Sequence, residues 1–240
     1  MLKIGKIKHI EHTLFPTTKH KLREIIENEI NKNGYSCSLN HIDVSKITDM
    51  SNLFYFSYFN GDISQWDVSN VIDMESMFCG SAFNGDLSDW DVSNVKTMAY
   101  MFANTNFIKQ HNSYHFAQNT IDMSTWDVRN VENMVGMFSM SFFKGDISNW
   151  DVSNVKWMGS MFKNSRFNGD LSRWNTQNVI DMSDMFAFSE FNSDIRAWDI
   201  SNVKDMSGMF MDSNFNKSFL PICKINPQCN TENMFLHCGK

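Results

Sequence analysis

The sequence predicts an α/β solenoid, in which short strands and short helices alternate along a stack of repeats. A segment that begins Trp66-Asp67-Val68 recurs every 24 residues, except for one step of 36 residues from Trp90 to Trp126. Within each unit the apolar residues change from a two-residue spacing to a spacing of three and four. Units this short cannot bury their own apolar face, so they must stack on their neighbours.

The first half of each unit predicts a strand. Ile63, Trp66 and Val68 are spaced as in the L-x-x-L-x-L pattern of a leucine-rich repeat, and Trp-x-Val has the two-residue period of a strand. The fold class is therefore a leucine-rich-repeat-like solenoid with one short strand per repeat. The tryptophan returns in each later unit as Trp90, Trp126, Trp150, Trp174 and Trp198.

The second half of each unit predicts a short helix. Met74, Met77 and Phe78 follow Val71 at positions i+3, i+6 and i+7, which share one helix face. Asn70 precedes this run and can act as its N-cap. We interpret the Trp, Met and Phe columns as a stacked core rather than as binding sites, because methionine fills the irregular gaps between bulky rings.

The two ends of the array depart from the pattern and predict capping segments. Leu22 and Ile26 fall at helical spacing before the first repeat, whereas Lys224 and Pro227 interrupt the last one. The predicted segments are 1–39, an N-terminal cap with a helix at about 18–33; 40–215, the repeats with an insertion at about 108–119; and 216–240, a degenerate C-terminal cap.

Composition limits the classes of partner. The net charge of −6 argues against nonspecific binding to nucleic acid and favours another protein, with a basic one the easiest to accommodate. No run of about 18 apolar residues predicts insertion into a membrane. No apolar segment follows the first lysines, so the chain as given reads as cytoplasmic, without a signal peptide.

The five cysteines are expected to be free thiols, because their number is odd and no signal peptide is predicted. Cys223, Cys229 and Cys238 cluster near the C-terminus in a spacing that matches no common zinc motif. A disulfide or a metal site within this cluster remains an alternative. We predict no metal and no cofactor.

The segment from Phe59 to Phe78 resembles the repeat of the BspA-like leucine-rich-repeat family of bacterial surface proteins. It reads Phe-Asn-Gly-Asp-Ile-Ser-x-Trp-Asp-Val-Ser-Asn-Val-x-x-Met-x-x-Met-Phe, and the match extends over about 40–235. The resemblance implies a solenoid that binds other macromolecules and has no enzymatic activity. It also implies a second localisation, at the cell surface or secreted, and an alternative function as an adhesin for a host protein or a glycan.

The first candidate site is a column of aspartates directly after the tryptophans. On a strand these side chains would face away from the core and form an acidic strip for a basic partner. The alternative is structural, because an aspartate can bond to the backbone N–H two residues on in an Asx turn. The column comprises Asp67, Asp91, Asp127, Asp151 and Asp199.

The second candidate site is the insertion, because insertions into repeats map to loops on one face that often bind partners. Its exposed rings would favour contact with a partner, and a passive loop is the alternative. The residues proposed for binding here are His111, Tyr114, His115 and Phe116.

The sequence therefore predicts a noncatalytic protein that recognises another protein. It contains no Gly-rich phosphate loop, no H-E-x-x-H and no G-x-S-x-G, so no catalytic residue is assigned. An enzyme that depends on a metal or acts on glycans is the third alternative.

Overall fold

The computed structural model describes residues 11–105, 121–221 and 224–239. One α-helix, α1, spans Lys19–Asn33, and one short 3₁₀ helix spans Lys217–Phe219. Elsewhere in these ranges the backbone forms turns and isolated parallel bridges rather than longer strands.

Helix α1 has defined caps at both ends. The Oγ1 of Thr18 accepts a hydrogen bond from the N–H of Lys21 at 3.2 Å. At the other end Gly34 has a φ of 84° and donates to the carbonyl of Ile30 at 2.7 Å. The helix thus lies where the spacing of apolar residues predicts it.

Helix α1 packs on the first repeat and covers that end of the core. Its apolar residues Leu22 and Ile26 are buried. Lys19 forms an ion pair of 2.7 Å with Asp49, and Arg23 donates to the carbonyl of Asn52 at 3.0 Å.

Successive repeats pair in parallel at the seventh residue after the tryptophan position. Alternate N–H groups around this residue donate to the next repeat: Ser76 to the carbonyl of Ala99 at 2.8 Å, for example. The 36-residue step does not interrupt the ladder, because Thr97 bridges to Asn133. The bridged column comprises Asp49, Asp73, Thr97, Asn133, Trp157, Asp181, Asp205 and Asn230.

The predicted strand at Trp-x-Val is not where the repeats pair. The N–H of Trp66 donates to the carbonyl of Ile63, and the N–H of Val71 donates to that of Val68, so a turn lies on each side of the Trp-Asp-Val segment. The prediction of a strand there was wrong because these turns bend the chain before an extended ladder can form. The pairing lies six residues further on, at Asp73.

The predicted helix at 71–78 is also absent from the described repeats. Met77 donates to the carbonyl of Met74, three residues back, while Ser76 and Phe78 donate to the next repeat. These turns place Met74, Met77 and Phe78 inward, so they reproduce the apolar spacing of a helix without forming one. Asn70 is not an N-cap, because its Nδ2 donates to the carbonyl of Ser45 in the preceding repeat at 2.9 Å.

The turns require a positive φ at two positions in each repeat. Gly136 occupies the first of these positions with a φ of 60°, and Tyr100 and Ser160 occupy it in the neighbouring repeats with values of 56° and 57°. A positive φ at the third residue is the signature of a type II turn, and glycine adopts it without strain.

The core is built from stacked columns of the same residue in consecutive repeats. Parallel phenylalanine rings lie 5.5 Å apart between Phe54 and Phe78, and again between Phe78 and Phe102. Trp126 and Trp150 stack with an interplanar angle of 1°, and the Nε1 of Trp126 donates to the carbonyl of Leu87 at 3.0 Å. Each tryptophan of this column therefore joins two repeats by packing and by a hydrogen bond.

Helix α1, the one α-helix in the described ranges, does not meet the length and apolarity needed to cross a bilayer.

Candidate functional site

The predicted aspartate column forms Asx turns. The Oδ1 of Asp199 accepts from the N–H of Ser201 at 3.0 Å and from its hydroxyl at 2.7 Å. Asp127 bonds in the same way to the N–H and guanidinium of Arg129. The structural role expected for this column is therefore present. The column lies outside the bridged ladder.

A second column of aspartates, four residues before the tryptophans, forms the same turn. The Oδ1 of Asp86 accepts from the N–H and the hydroxyl of Ser88 at 2.9 and 2.7 Å. Asp170 likewise bonds to the N–H of Ser172 at 2.8 Å. The aspartates of both columns therefore form the same Asx turn, one before and one after the tryptophan of a repeat.

The hydrogen bonds at Asp199 and Asp151 favour the charged carboxylate. The hydroxyl and then the N–H of Ser201 lower the pKa of Asp199 below its ordinary value. The pKa of Asp151 is lowered for the same reasons by Ser153. These groups therefore stabilise the fold as carboxylates.

Replacing Ser201 by Ala should raise the pKa of Asp199 toward its ordinary value, because the hydroxyl donor is lost. Since the folded pKa is depressed, the contribution to stability is complete above the unfolded pKa of about 3.9 and is lost as the pH falls through the lower folded value. Carboxyl ¹³C titration by NMR measures the pKa, and urea unfolding at neutral and acid pH measures the stability. Equal titration curves for wild type and variant would show that the hydroxyl has no such role.

The predicted insertion lies outside the described residues, and so do His111, Tyr114, His115 and Phe116. The repeats on either side of it are paired directly: Met98 donates to the carbonyl of Asn133 at 2.9 Å. A chain without 108–119 should therefore keep the stacked repeats. Circular dichroism and a urea midpoint close to that of the intact chain are the expected results, and loss of the folded signal would show that the stack needs the segment.

The sequence alone did not reveal the outer side of the bridged ladder, which we call the bridge face. It is formed by the residues seven and nine positions after each tryptophan position, of which Ser51, Ala99 and Gly159 are buried, and Met74 and its equivalents between them point inward. Its central rungs carry no charge, whereas acidic residues stand at both ends. From one end to the other it comprises Asp49, Ser51, Asp73, Glu75, Thr97, Ala99, Asn133, Val135, Trp157, Gly159, Asp181, Ser183, Asp205, Ser207, Asn230 and Glu232.

The sequence does carry a signal for the bridge face. One column of residues varies from repeat to repeat, while the column next to it stays the same. The inward column is methionine in seven repeats, whereas the bridged column before it holds Asp, Thr, Asn and Trp. Trp157 is conspicuous in the sequence as a large ring at a variable position. Without the register of the ladder, its neighbours in space could not be named.

Exposed aromatic rings also form two pairs near the first repeats. Tyr35 and Tyr58 meet edge to face with centroids 5.8 Å apart, and Tyr55 and Phe56 do so at 4.7 Å. All four rings are more than half exposed. We call these four residues the aromatic cluster.

A cleft of about 320 Å³ opens near the last repeat, lined by Asp212, Ser213, Asn214 and His237. The Nδ1 of His237 lies 3.1 Å from the Oδ1 of Asp212. The hydroxyl of Ser213 donates to the backbone carbonyl of Phe210, three residues earlier, at 2.7 Å. This bond recurs at Ser189 one repeat earlier, so the serine belongs to the repeat rather than to a catalytic pair.

Within 11–105, 121–221 and 224–239, no three His, Cys, Asp or Glu side chains converge as a metal site would require. Cys229 and Cys238 are free thiols, and Cys223 lies outside the described residues. Burial raises the pKa of Cys79 and of Cys229, which favours the protonated thiol at neutral pH.

Two segments of the chain, residues 21–124 and 109–221, match the family described as "Mycoplasma protein of unknown function, DUF285". Together they span residues 21–221. No curated protein matches the chain, and no solved structure matches it.

Proposed function

We propose, on the premise that this chain belongs to the DUF285 family of Mycoplasma proteins, that it is a noncatalytic protein which recognises another protein through the surface of a solenoid. The proposed architecture is of the leucine-rich-repeat type, in the BspA-like form that the repeat resembles. Parallel pairing at a 24-residue interval and the stacked rings support this architecture.

The observation that carries the proposed function is the contrast between adjacent columns. Asp73, Thr97 and Trp157 differ in charge, size and polarity, and each is followed by a methionine that is fully buried. A stack with an invariant interior does not need this variety outside. Outer residues that vary over a rigid core are what a repeat protein uses to recognise a partner.

Affinity capture from lysate of the native organism tests this function. The bait is the intact chain, with covalent cross-linking before washing, and three further baits locate the surface: the 108–119 deletion, Trp157→Ala on the bridge face, and Asp91→Asn in the aspartate column. We expect a protein that the intact chain enriches and that one of the altered surfaces loses. Equal recovery of every protein with all four baits and with an unrelated acidic protein would contradict the proposal.

The second candidate function is a surface adhesin for a host protein or glycan, which the BspA-like resemblance implies. The aromatic cluster favours it, because exposed tyrosines supply contact area with both apolar and hydrogen-bonding character. Protease treatment of intact native cells tests it. Cleavage of the protein on intact cells would support the adhesin, whereas protection until lysis would exclude it.

A further inference from the structure

Trp157 differs from the other tryptophans of the chain. It is 38% exposed, whereas the other six are at most 4% exposed. It stands on the bridge face between Asn133 and Asp181, where the remaining repeats carry small or acidic side chains. No core position requires this ring.

Gly159 leaves room for the carboxylate of Asp181, the residue bridged to Trp157. A Cβ on residue 159 would lie 3.0 Å from the Oδ2 of Asp181 and 3.0 Å from the Oγ of Ser183. The φ of Gly159 is not in the left-handed region, so the backbone itself does not demand glycine. The missing side chain therefore lets the carboxylate of Asp181 lie over the rung that carries Trp157.

One oxygen of Asp181 is left for a partner. Its Oδ1 accepts from the N–H of Ser183 at 2.8 Å, and no described residue donates to its Oδ2. Asp205 adds a second carboxylate on the next rung, about 4.8 Å further along the ladder. Trp157 therefore has Asp181 as its bridged neighbour, and Asp205 lies one rung beyond Asp181.

The lysines near Trp157 and Asp181 do not cancel the negative charge of the two aspartates. The ammonium of Lys156 lies over the Trp157 ring, 5.7 Å from its centre, and is paired with Glu132 at 2.7 Å. Lys204 stands beside Asp205 at the edge of the bridge face. With Lys156 and Glu132 paired, Asp181, Asp205 and Lys204 sum to a net negative charge along this part of the bridge face.

We propose that Trp157 and Asp181 together hold an arginine side chain from a basic segment of the partner protein. The guanidinium would lie on the indole face and donate to the Oδ2 of Asp181, with Asp205 attracting a second basic residue. This inference rests on the proposed function and names the place and the chemistry of recognition.

Arginine fits this pair better than other side chains. A guanidinium is planar, stacks on aromatic rings and donates several hydrogen bonds at fixed angles to a carboxylate. A lysine ammonium is more strongly hydrated and lacks the flat surface. An apolar side chain would cover the ring and leave the Asp181 oxygen without a donor, which carries an energetic cost.

Trp157 provides its own readout for a test. It is the exposed tryptophan, so acrylamide should quench its fluorescence, and Trp157→Phe should remove the quenched component. Three octapeptides of Arg, Lys or Glu alternating with Gly are titrated at about 0.15 M salt, where weak long-range attraction is screened. We expect the Arg peptide to protect Trp157 from acrylamide and to bind about 10-fold more tightly than the Lys peptide, with no binding of the Glu peptide.

Matched variants separate the site from general acidity. Asp181→Asn and Trp157→Ala should each weaken binding of the Arg peptide about 10-fold, the range of an interface hot spot. Asp86→Asn removes the same charge from a turn aspartate, and Phe15→Ala removes an exposed ring near the N-terminus, so both should bind as the wild type does. Equal binding of Arg and Lys peptides, equal loss in Asp181→Asn and Asp86→Asn, or unchanged quenching of Trp157 would each overturn the inference.

Failure of the proposed arginine site can be distinguished from failure of the proposed binding function. A captured partner that Asp181→Asn and wild type retain equally would overturn the arginine site and leave the binding function in place. Absence of any specifically captured protein would overturn the binding function itself.

Discussion

Trp126→Ala is expected to lower the free energy of unfolding by about 3–5 kcal/mol, the usual cost of truncating a large core ring. Trp126 is 4% exposed and stacks on Trp150. Its loss leaves a cavity between two repeats and also deprives the carbonyl of Leu87 of its donor. Urea unfolding followed by circular dichroism measures the change.

Trp157→Ala is the matched control, because it removes the same side chain from the surface. Its free energy of unfolding should stay within about 1 kcal/mol of the wild-type value. If the two variants unfolded at the same urea concentration, the tryptophans would not form the stacked core that the structure shows.

Gly136→Val is expected to lower the free energy of unfolding by about 2–3 kcal/mol, from two sources. The backbone has a φ of 60°, which a β-branched residue adopts with strain. In addition, a Cβ there would lie 2.3 Å from an atom of the Tyr100 ring. The ring must therefore move before the side chain can enter.

Ser160→Val separates these two sources. Ser160 occupies the same turn position with a φ of 57°, and the residue at that position in the preceding repeat is Gly136, which has no side chain to displace. Ser160→Val should lower the free energy of unfolding by about half as much as Gly136→Val does. A double variant, Tyr100→Ala with Gly136→Val, should recover part of the loss, whereas no recovery would refute the ring contact.

The sequence contained the features that position the core and the N-terminal helix. The apolar spacing around Leu22 and Ile26 indicated α1, and the tryptophan and phenylalanine columns are buried. The strand and helix within each repeat were misplaced, because turns with a positive φ produce an apolar spacing close to that of a helix. Glycine and asparagine in the turn positions, such as Gly136 and Asn164, were the available sign of those turns.

The candidate site was predictable only in part. The Asx turns of the aspartate column follow from local sequence, since each carboxylate bonds two residues on, as Asp199 does with Ser201. The bridge face depends on which residues of different repeats are neighbours. The proximity of Trp157 and Asp181 follows from the register of the ladder, and the place of the carboxylate follows from Gly159.

Carboxyl footprinting of the chain, alone and in complex with its captured partner, tests the central claim most directly. Exposed Asp and Glu side chains are labelled with a carbodiimide and an amine, and mass spectrometry measures the modification at each residue. We expect the partner to lower the labelling of Asp181 and Asp205 on the bridge face, while Asp86 and Asp170 at the turns react as before. Unchanged labelling at Asp181 and Asp205, with protection confined to the turn aspartates, would contradict it.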